Sequence, residues 1–513
     1  MARRASTPVG LVTAAPARSE GDTIAGVDLG SNSFHLIVAR VVGGHFDVLD
    51  RRRERVLLGA GLDDERRLTA DAETRALDCL SRFRQRLRDL PPAMVRAVGT
   101  NTLRQARDAR AFLRRAQRAL GHPIEVISGR EEARLTYLGV AHDLAEEHGR
   151  RLVVDIGGGS TEVILGERFE PQLTDSLYMG CVGYTQRFFP TGRIGRAEFA
   201  QAEIAAGQEL QPIQRPYGAM GWRTCVGSSG TIVTIGQILR ATGWAERDVT
   251  LKGLRKLKKA LLVAGHVRRL KLPLLHAERA SVLPGGLAIL CAVFDALGIE
   301  AMRPSSGALR EGLLYDLLGR IRHEDIRDQT VRRFCERYQV DLEQAARVEA
   351  TALACLERVA LPWSLFDPSA RRALSWAARL HEAGLSVAHA GYHKHGAYLI
   401  SNADLPGFSR DGQALLSALV RGHRRKLPRP LTPGASPELA RQTLRLCVLL
   451  RLAVLLHRDR GPRPAPQLTL VPKKESLTVV FPPGWLEEHP LTRADLEEET
   501  ARLRVVGFKL SWT

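Results

Sequence analysis

Aromatic residues make up only 5 % of this 513-residue chain, so its cores have to be built from Leu, Val, Ile and Ala. No stretch of about 18 uncharged apolar residues occurs, which argues against a membrane-spanning helix. Cysteine pairs at metal or redox spacing are also missing. The seven cysteines, Cys79, Cys181, Cys225, Cys291, Cys335, Cys355 and Cys447, are scattered and odd in number, which points to reduced thiols in a cytosol rather than a disulfide framework or a zinc site. Neither G-x-x-x-x-G-K-[ST] nor a G-x-G-x-x-G that opens a helix after a strand is present, so neither P-loop nor Rossmann nucleotide binding is supported. The first twenty residues, rich in Ala, Pro and Arg, hold an apolar run too short and too broken by Pro8 and Pro16 for a secretion signal; residues 1–21 read as a disordered tail.

What the chain has in excess is positive charge. Lys and Arg number 75 against 56 Asp and Glu, a net +19. A GC-rich genome that favours Arg accounts for part of this. The remainder suits a polyanionic partner, whether nucleic acid, an anionic membrane surface or a phosphate chain. The length exceeds what one core supports, so two to four domains are expected.

Up to about residue 165 strands alternate with helices, the pattern of an α/β sheet. Ile24–Leu29 and Phe34–Val42 form a hairpin around a Gly-Ser-Asn-Ser turn, and Leu152–Ile156 with Thr161–Leu165 form another. Asp28 and Asp155 close the first strand of each hairpin, 127 positions apart, which suggests an internal repeat and two related lobes. From about residue 316 the pattern turns helical over 331–359, 370–390 and 414–423. A Pro-rich stretch at 428–437 reads as a linker, and 467–471, 477–481 and 503–512 alternate like strands of a small tail domain.

Three glycine-rich turns carry the chemistry: Gly30-Ser31-Asn32-Ser33, Gly157-Gly158-Gly159-Ser160-Thr161 and Gly227-Ser228-Ser229-Gly230-Thr231. Glycine lets backbone N–H groups converge on an anion, and hydroxyls add donors without charge. One such turn is equally well a tight hairpin; three in one chain point to phosphate. Carboxylates sit beside them at Asp28, Asp155, Glu162 and the Glu131-Glu132 pair. Phosphoanhydride hydrolysis needs a carboxylate to take a proton from water and a cation to offset charge. Glu131 stands three residues after Ser128, the spacing of a capping box, which leaves Glu132 as the better base. Arg104 follows a strand and either reaches the same cleft or is one more surface arginine.

These segments, GVDLGSNSFHLIVAR (26–40), GTNTLRQA (99–106), VISGREEARLTYLGV (126–140), VVDIGGGSTEVILGE (153–167), VGSSGTI (226–232) and GALREGLLY (307–315), resemble the exopolyphosphatase / guanosine pentaphosphate phosphohydrolase family in its long form. The resemblance implies an α/β, actin-like (ribonuclease H-like) core with lobes at 22–135 and 136–315. An α-helical HD-like domain at 316–430 and a small α+β C-terminal domain at 431–513 would follow. It also implies Mg2+ dependence, with a monovalent cation such as K+ as an addition, and a cytoplasmic homodimer without specific nucleic-acid binding; peripheral membrane association is left open by the charge. Catalytic roles carry over to Glu132, Asp155 and Glu162, metal ligation to Asp155, Glu162 and Asp28, and phosphate binding to the three loops and Arg104.

The second loop, IGGGS, and GTNTLRQA resemble the polyphosphate branch, so the expected activity is processive release of orthophosphate from inorganic polyphosphate, with pppGpp hydrolysis to ppGpp as the alternative. Ser306 stands where that branch has Asp, which keeps both substrates in play. An actin-like kinase and a non-enzymatic polyanion binder are the remaining readings. In the HD-like segment His381-Glu382 replaces the His-Asp doublet, which argues against a working metal site. His393, Lys394, His395, Arg421, His423, Arg424 and Arg425 read instead as a basic groove for a phosphate chain, or as a solvated helix face.

Overall fold

The computed structural model describes residues 21–42, 45–144, 149–321, 325–433, 435–462 and 464–513. The expected tail at 1–21 lies, but for Gly21, outside the described residues. The chain forms two compact units, Met1–Asp325 and Ile326–Thr513. No helix among the described residues is long and apolar enough to cross a membrane.

The first unit has two sheets of like topology. In the first, β1 (Thr23–Leu29) pairs antiparallel with β2 (Ser33–Val42), which pairs antiparallel with β3 (His45–Arg55); β4 (Val95–Gly99) and β5 (Ile124–Val126) extend β1 in parallel, giving the order β3-β2-β1-β4-β5. In the second, β6 (Arg150–Ile156), β7 (Thr161–Glu167) and β8 (Glu170–Leu177) repeat the antiparallel half. There β9 (Thr224–Ser228) and β11 (Ala301–Pro304) repeat the parallel half, with β10 (Val249–Thr250) added at the edge. The repeat seen at two hairpins therefore extends over whole lobes, the actin-like two-lobed arrangement. The registers match as well: Asp28 faces His35 and Asp155 faces Glu162.

Two helices knit the lobes. Gly129–Asp143 starts at Ser128, whose hydroxyl accepts from the Glu131 amide at 3.1 Å, as the sequence predicts. It packs on Leu309–Ile321 so closely that a Cβ at Gly312 would run into the Leu135 carbonyl. The helix Leu309–Ile321 buries Leu314, Leu317 and Leu318 against Ile24, Ile37 and Val41 of β1 and β2. The expected boundary at 315/316 thus falls inside a helix that belongs to the first lobe. The chain divides after Asp325 instead.

The second unit is helical, with a three-stranded sheet of β12 (Thr469–Lys473), β13 (Ser476–Val480) and β14 (Lys509–Trp512). One apolar core runs from Val331 to Leu510. The expected split near 430 does not produce separate cores, because the helix Pro437–Leu456 lies in the helical layer and ties it to the sheet. Arg445 donates to the carbonyls of Trp363 (2.8 Å) and Lys474 (2.9 Å). The expected strand 503–512 begins in the helix Pro490–Val505; Gly507, at φ +79°, turns the chain into β14.

Candidate active site

The three glycine-rich turns meet in one cavity of about 330 Å3 in the first unit, lined by Asp28, Glu132, Asp155 and Glu162. The first turn is pinned from outside: Gly59 N donates to Ser31 O at 2.8 Å and Leu57 N to Asn32 O at 2.9 Å. In the second, Gly157 N donates to Ser160 O at 2.9 Å, and the carbonyls of Gly157 and Gly158 accept from Cys181 N and Val182 N, both at 2.9 Å. Those bonds tie the turn's acceptors to the fold. The two turns, one from each lobe, touch: a Cβ on Gly158 would lie 3.2 Å from Ser31 Cβ. Glycine at 158 is what lets the lobes close to this distance.

The third turn differs from the hairpin pattern of the other two. It joins β9 to the helix Ser229–Ala241, and Ser229 takes φ +78° as its hydroxyl donates to Ile156 O at 2.9 Å. Ser229, Gly230 and Thr231 line the cavity, so a 13-residue helix presents its positive end there.

Glu132 lies in the first turn of the helix Gly129–Asp143, and its Oε2 accepts from Arg104 Nη1 at 2.7 Å. The same guanidinium nitrogen donates to Ile127 O at 3.2 Å. Arg104 is thus neither a surface arginine nor a cavity wall; it holds the Glu132 carboxylate. Glu131 turns to the opposite side, where Arg134 binds both its oxygens at 2.8 and 2.9 Å. Adjacent glutamates point apart because successive helical positions differ by about 100°.

The remaining carboxylates are strained electrostatically. Burial, then the Glu132 charge, raises Asp28 well above the usual carboxylate range. The same two causes, in that order, raise Asp155 to about 7 and Glu162 well above its ordinary value. Ser176 donates to Glu162 Oε1 at 2.8 Å, whereas Asp28 Oδ1 is buried with no hydrogen-bond partner. No three His, Cys, Asp or Glu side chains converge as a ready-made metal site among the described residues. The donor set still suits a hard divalent cation, which takes one or two carboxylates and fills its shell with water and phosphate oxygens. An orphaned, desolvated carboxylate oxygen is what such an ion would satisfy.

Four predicted residues do not line the cavity. Thr161 is buried and donates to Met179 O at 2.5 Å; Ser228 donates to Gly307 O at 2.8 Å. A Cβ on Gly227 would meet Ile232 and Met302 in the core, and Arg104 acts one shell back. Conversely, the cavity includes Arg53, Asn101, Arg279 and Arg310, which went unassigned. Arg310 and Asn101 sit within recognisable motifs. Arg279 is a lone arginine in an Arg-rich segment and carries no local signal. Neither Arg53 nor Arg279 has an ion-pair partner among the described residues, and burial followed by the Arg53 charge lowers Arg279 from its ordinary value. Burial, followed by the charges of Arg310, Arg53 and Arg279, lowers His35 to about 3.

The predicted basic groove of the second unit is not a continuous surface. His393 and His423 are interior, 4 % and 2 % exposed, while Lys394 and Arg425 face solvent. Consecutive basic residues on a helix diverge around its axis, so His393 falls on the inward face with Gly396, Ala397 and Ile400.

The profile of the Ppx/GppA phosphatase family matches residues 37–321, and that of its domain III matches 326–500. The guanosine-5'-triphosphate,3'-diphosphate pyrophosphatase of Aeromonas hydrophila is 43 % identical over 484 residues, covering 94 % of this chain and 97 % of that protein. Its namesake in Vibrio cholerae is 43 % identical over 488 residues, covering 95 % and 97 %. Among solved structures, an exopolyphosphatase from Cytophaga hutchinsonii aligns with a TM-score of 0.52 at 26 % identity, covering 58 % of this chain and 98 % of that one. With both family profiles matched in order along most of its length, the chain is a member of the Ppx/GppA phosphatase family.

Proposed function

We propose that the protein is a guanosine pentaphosphate phosphohydrolase that removes the terminal 5′-phosphate of pppGpp. The observation that carries phosphohydrolysis is the Glu132 carboxylate, fixed by Arg104 on a cavity whose other walls are three anion-binding turns. The choice of pppGpp rests on two relatives at 43 % identity over nearly the whole chain, both named for that nucleotide. This reading replaces the polyphosphate expectation drawn from two short loops.

In the proposed reaction the turns' N–H groups and hydroxyls hold the terminal phosphoryl group. Glu132 accepts a proton as the water oxygen attacks phosphorus, and the bond to the bridging oxygen breaks. Arg53, Arg279 and Arg310 balance charge on the remaining phosphates. Asp28, Asp155 and Glu162 would hold a divalent cation such as Mg2+, which when bound offsets negative charge on phosphate oxygens. Hydrolysis of pppGpp in 18O-water tests the bond assignment: ppGpp free of label and singly labelled orthophosphate are expected. Label in ppGpp would place attack on the other phosphorus and refute it.

Polyphosphate remains a second reading, favoured by the net charge of +19 and by the unpaired cations of the cavity. Both substrates end in the same phosphoanhydride, so the hydrolytic step is shared.

A further inference from the structure

A second cavity, of about 450 Å3, lies wholly in the helical unit and has no part in the proposed reaction. Its floor is two buried imidazoles, His381 and His423, packed edge to face with centroids 5.4 Å apart. His423 Nδ1 lies 2.6 Å from Val420 O, and His381 Nδ1 lies 2.6 Å from Ala378 O. Each ring therefore carries its proton on Nδ1 and keeps Nε2 as an acceptor. His423 Nε2 is buried without a hydrogen-bond partner, and so is Glu382 Oε2, whose other oxygen is taken by Arg460. Burial holds both histidines below their ordinary values, which keeps them neutral acceptors. Buried acceptors without donors are rare, and here they line a space large enough for a small molecule.

The rim carries the opposite chemistry. Six arginines and four acids line the cavity. Arg451, Arg458, Arg460 and Arg502 pair with Glu499, Asp495, Glu382 and Glu498. That leaves Arg424 and Arg425 as surplus cations. Arg424 lies over the Tyr392 ring, 4.5 Å from its centroid. Arg425 has no ion-pair partner among the described residues and sits in the left-handed region at φ +59°, its carbonyl held by Arg451 Nη2 at 2.9 Å. A non-glycine residue held at such a φ is a constrained position.

We propose that this cavity is a second, non-catalytic site for a small phosphomonoester bearing hydroxyl or amino donors, such as a nucleoside monophosphate or a sugar phosphate. Its phosphate binds Arg424 and Arg425, and its donors meet His423, His381 and Glu382. An inorganic anion would satisfy the rim and leave the floor unpaired.

Calorimetric titration of the full chain with guanosine 5′-monophosphate, glucose 6-phosphate and orthophosphate tests this. One organic phosphate should bind at least about tenfold more tightly than orthophosphate, because only it pairs the floor. Arg425→Glu should weaken that binding by about tenfold or more, and Val454→Trp, which fills the cavity, should abolish it; Arg279→Glu in the catalytic cavity should leave it intact. Arg425 is exposed, so its variant decides the matter if the tryptophan variant does not fold. Binding that survives Arg425→Glu, that is lost in Arg279→Glu, or that favours orthophosphate would overturn the proposal.

Discussion

Glu132 and Arg104 act as a pair, and their variants should fail differently. Glu132→Gln removes the proposed proton acceptor while keeping size and polarity, so turnover should fall about 10²–10⁴-fold with substrate binding retained, in steady-state kinetics and equilibrium binding. Unchanged kcat would remove Glu132 from the mechanism. Arg104→Ala leaves the carboxylate but frees it, so kcat should drop by about tenfold or more at near-constant KM, with partial rescue by Arg104→Lys. A rise in KM alone would make Arg104 a phosphate ligand instead. Asp155 yields a pH effect. Its folded-state value, raised to about 7, exceeds the unfolded one, so the folded protein binds the extra proton and stability falls as pH rises from about 4 to 7. Lifting this carboxyl so far costs the folded state on the order of 4 kcal/mol at pH 8. Asp155→Asn should therefore abolish activity yet raise the melting temperature at pH 8, with little effect at pH 4. A lower melting temperature at pH 8 would contradict the desolvation argument.

The elements that position these residues were partly legible beforehand. Both hairpins announce themselves by apolar strands around Gly/Ser turns, and the capping spacing at Ser128 places Glu132 in a first helical turn. What the local pattern does not carry is a partner from far along the chain. Arg96, Glu131, Arg134 and Asp316 form a buried ionic cluster, with Arg134 bonded to Asp316 and to Glu131. Burial opposes ionisation of Asp316, but Arg96, Arg134 and Arg320 hold its carboxyl below the usual carboxylate range. The cluster clamps the Glu132 helix to Leu309–Ile321, and its members come from three separate parts of the sequence. Asp316→Ala would take away the carboxylate shared by Arg96, Arg134 and Arg320, leaving their buried charges under-compensated by Glu131 and Glu125, and should lower stability by about 3–5 kcal/mol in denaturant unfolding of the first unit. A loss under about 1 kcal/mol would show that the clamp is dispensable. The His393 and His423 positions illustrate the converse: a basic run is visible in sequence, but which members turn inward depends on the helix face that packs.

At the scale of the whole molecule, the two-lobed fold was readable because the lobes repeat one another, Asp28 answering Asp155. The unity of residues 326–513 was not, since the helix Pro437–Leu456 follows a Pro-rich stretch yet joins the core before it. Substrate choice was the least legible feature. Both segments, IGGGS and GTNTLRQA, contribute residues to the cavity proposed to take the terminal phosphate, and that group is the same in polyphosphate and in pppGpp. Discrimination has to come from what meets the rest of the substrate, where Arg53 and Arg279 carry no motif. Orthophosphate release from pppGpp and from long-chain polyphosphate, measured side by side at matched terminal phosphate with Mg2+, is the most direct test. The account predicts a kcat/KM for pppGpp at least about tenfold the higher, equivalent to about 1.4 kcal/mol of transition-state preference, with ppGpp as product. Equal or faster release from polyphosphate would contradict it.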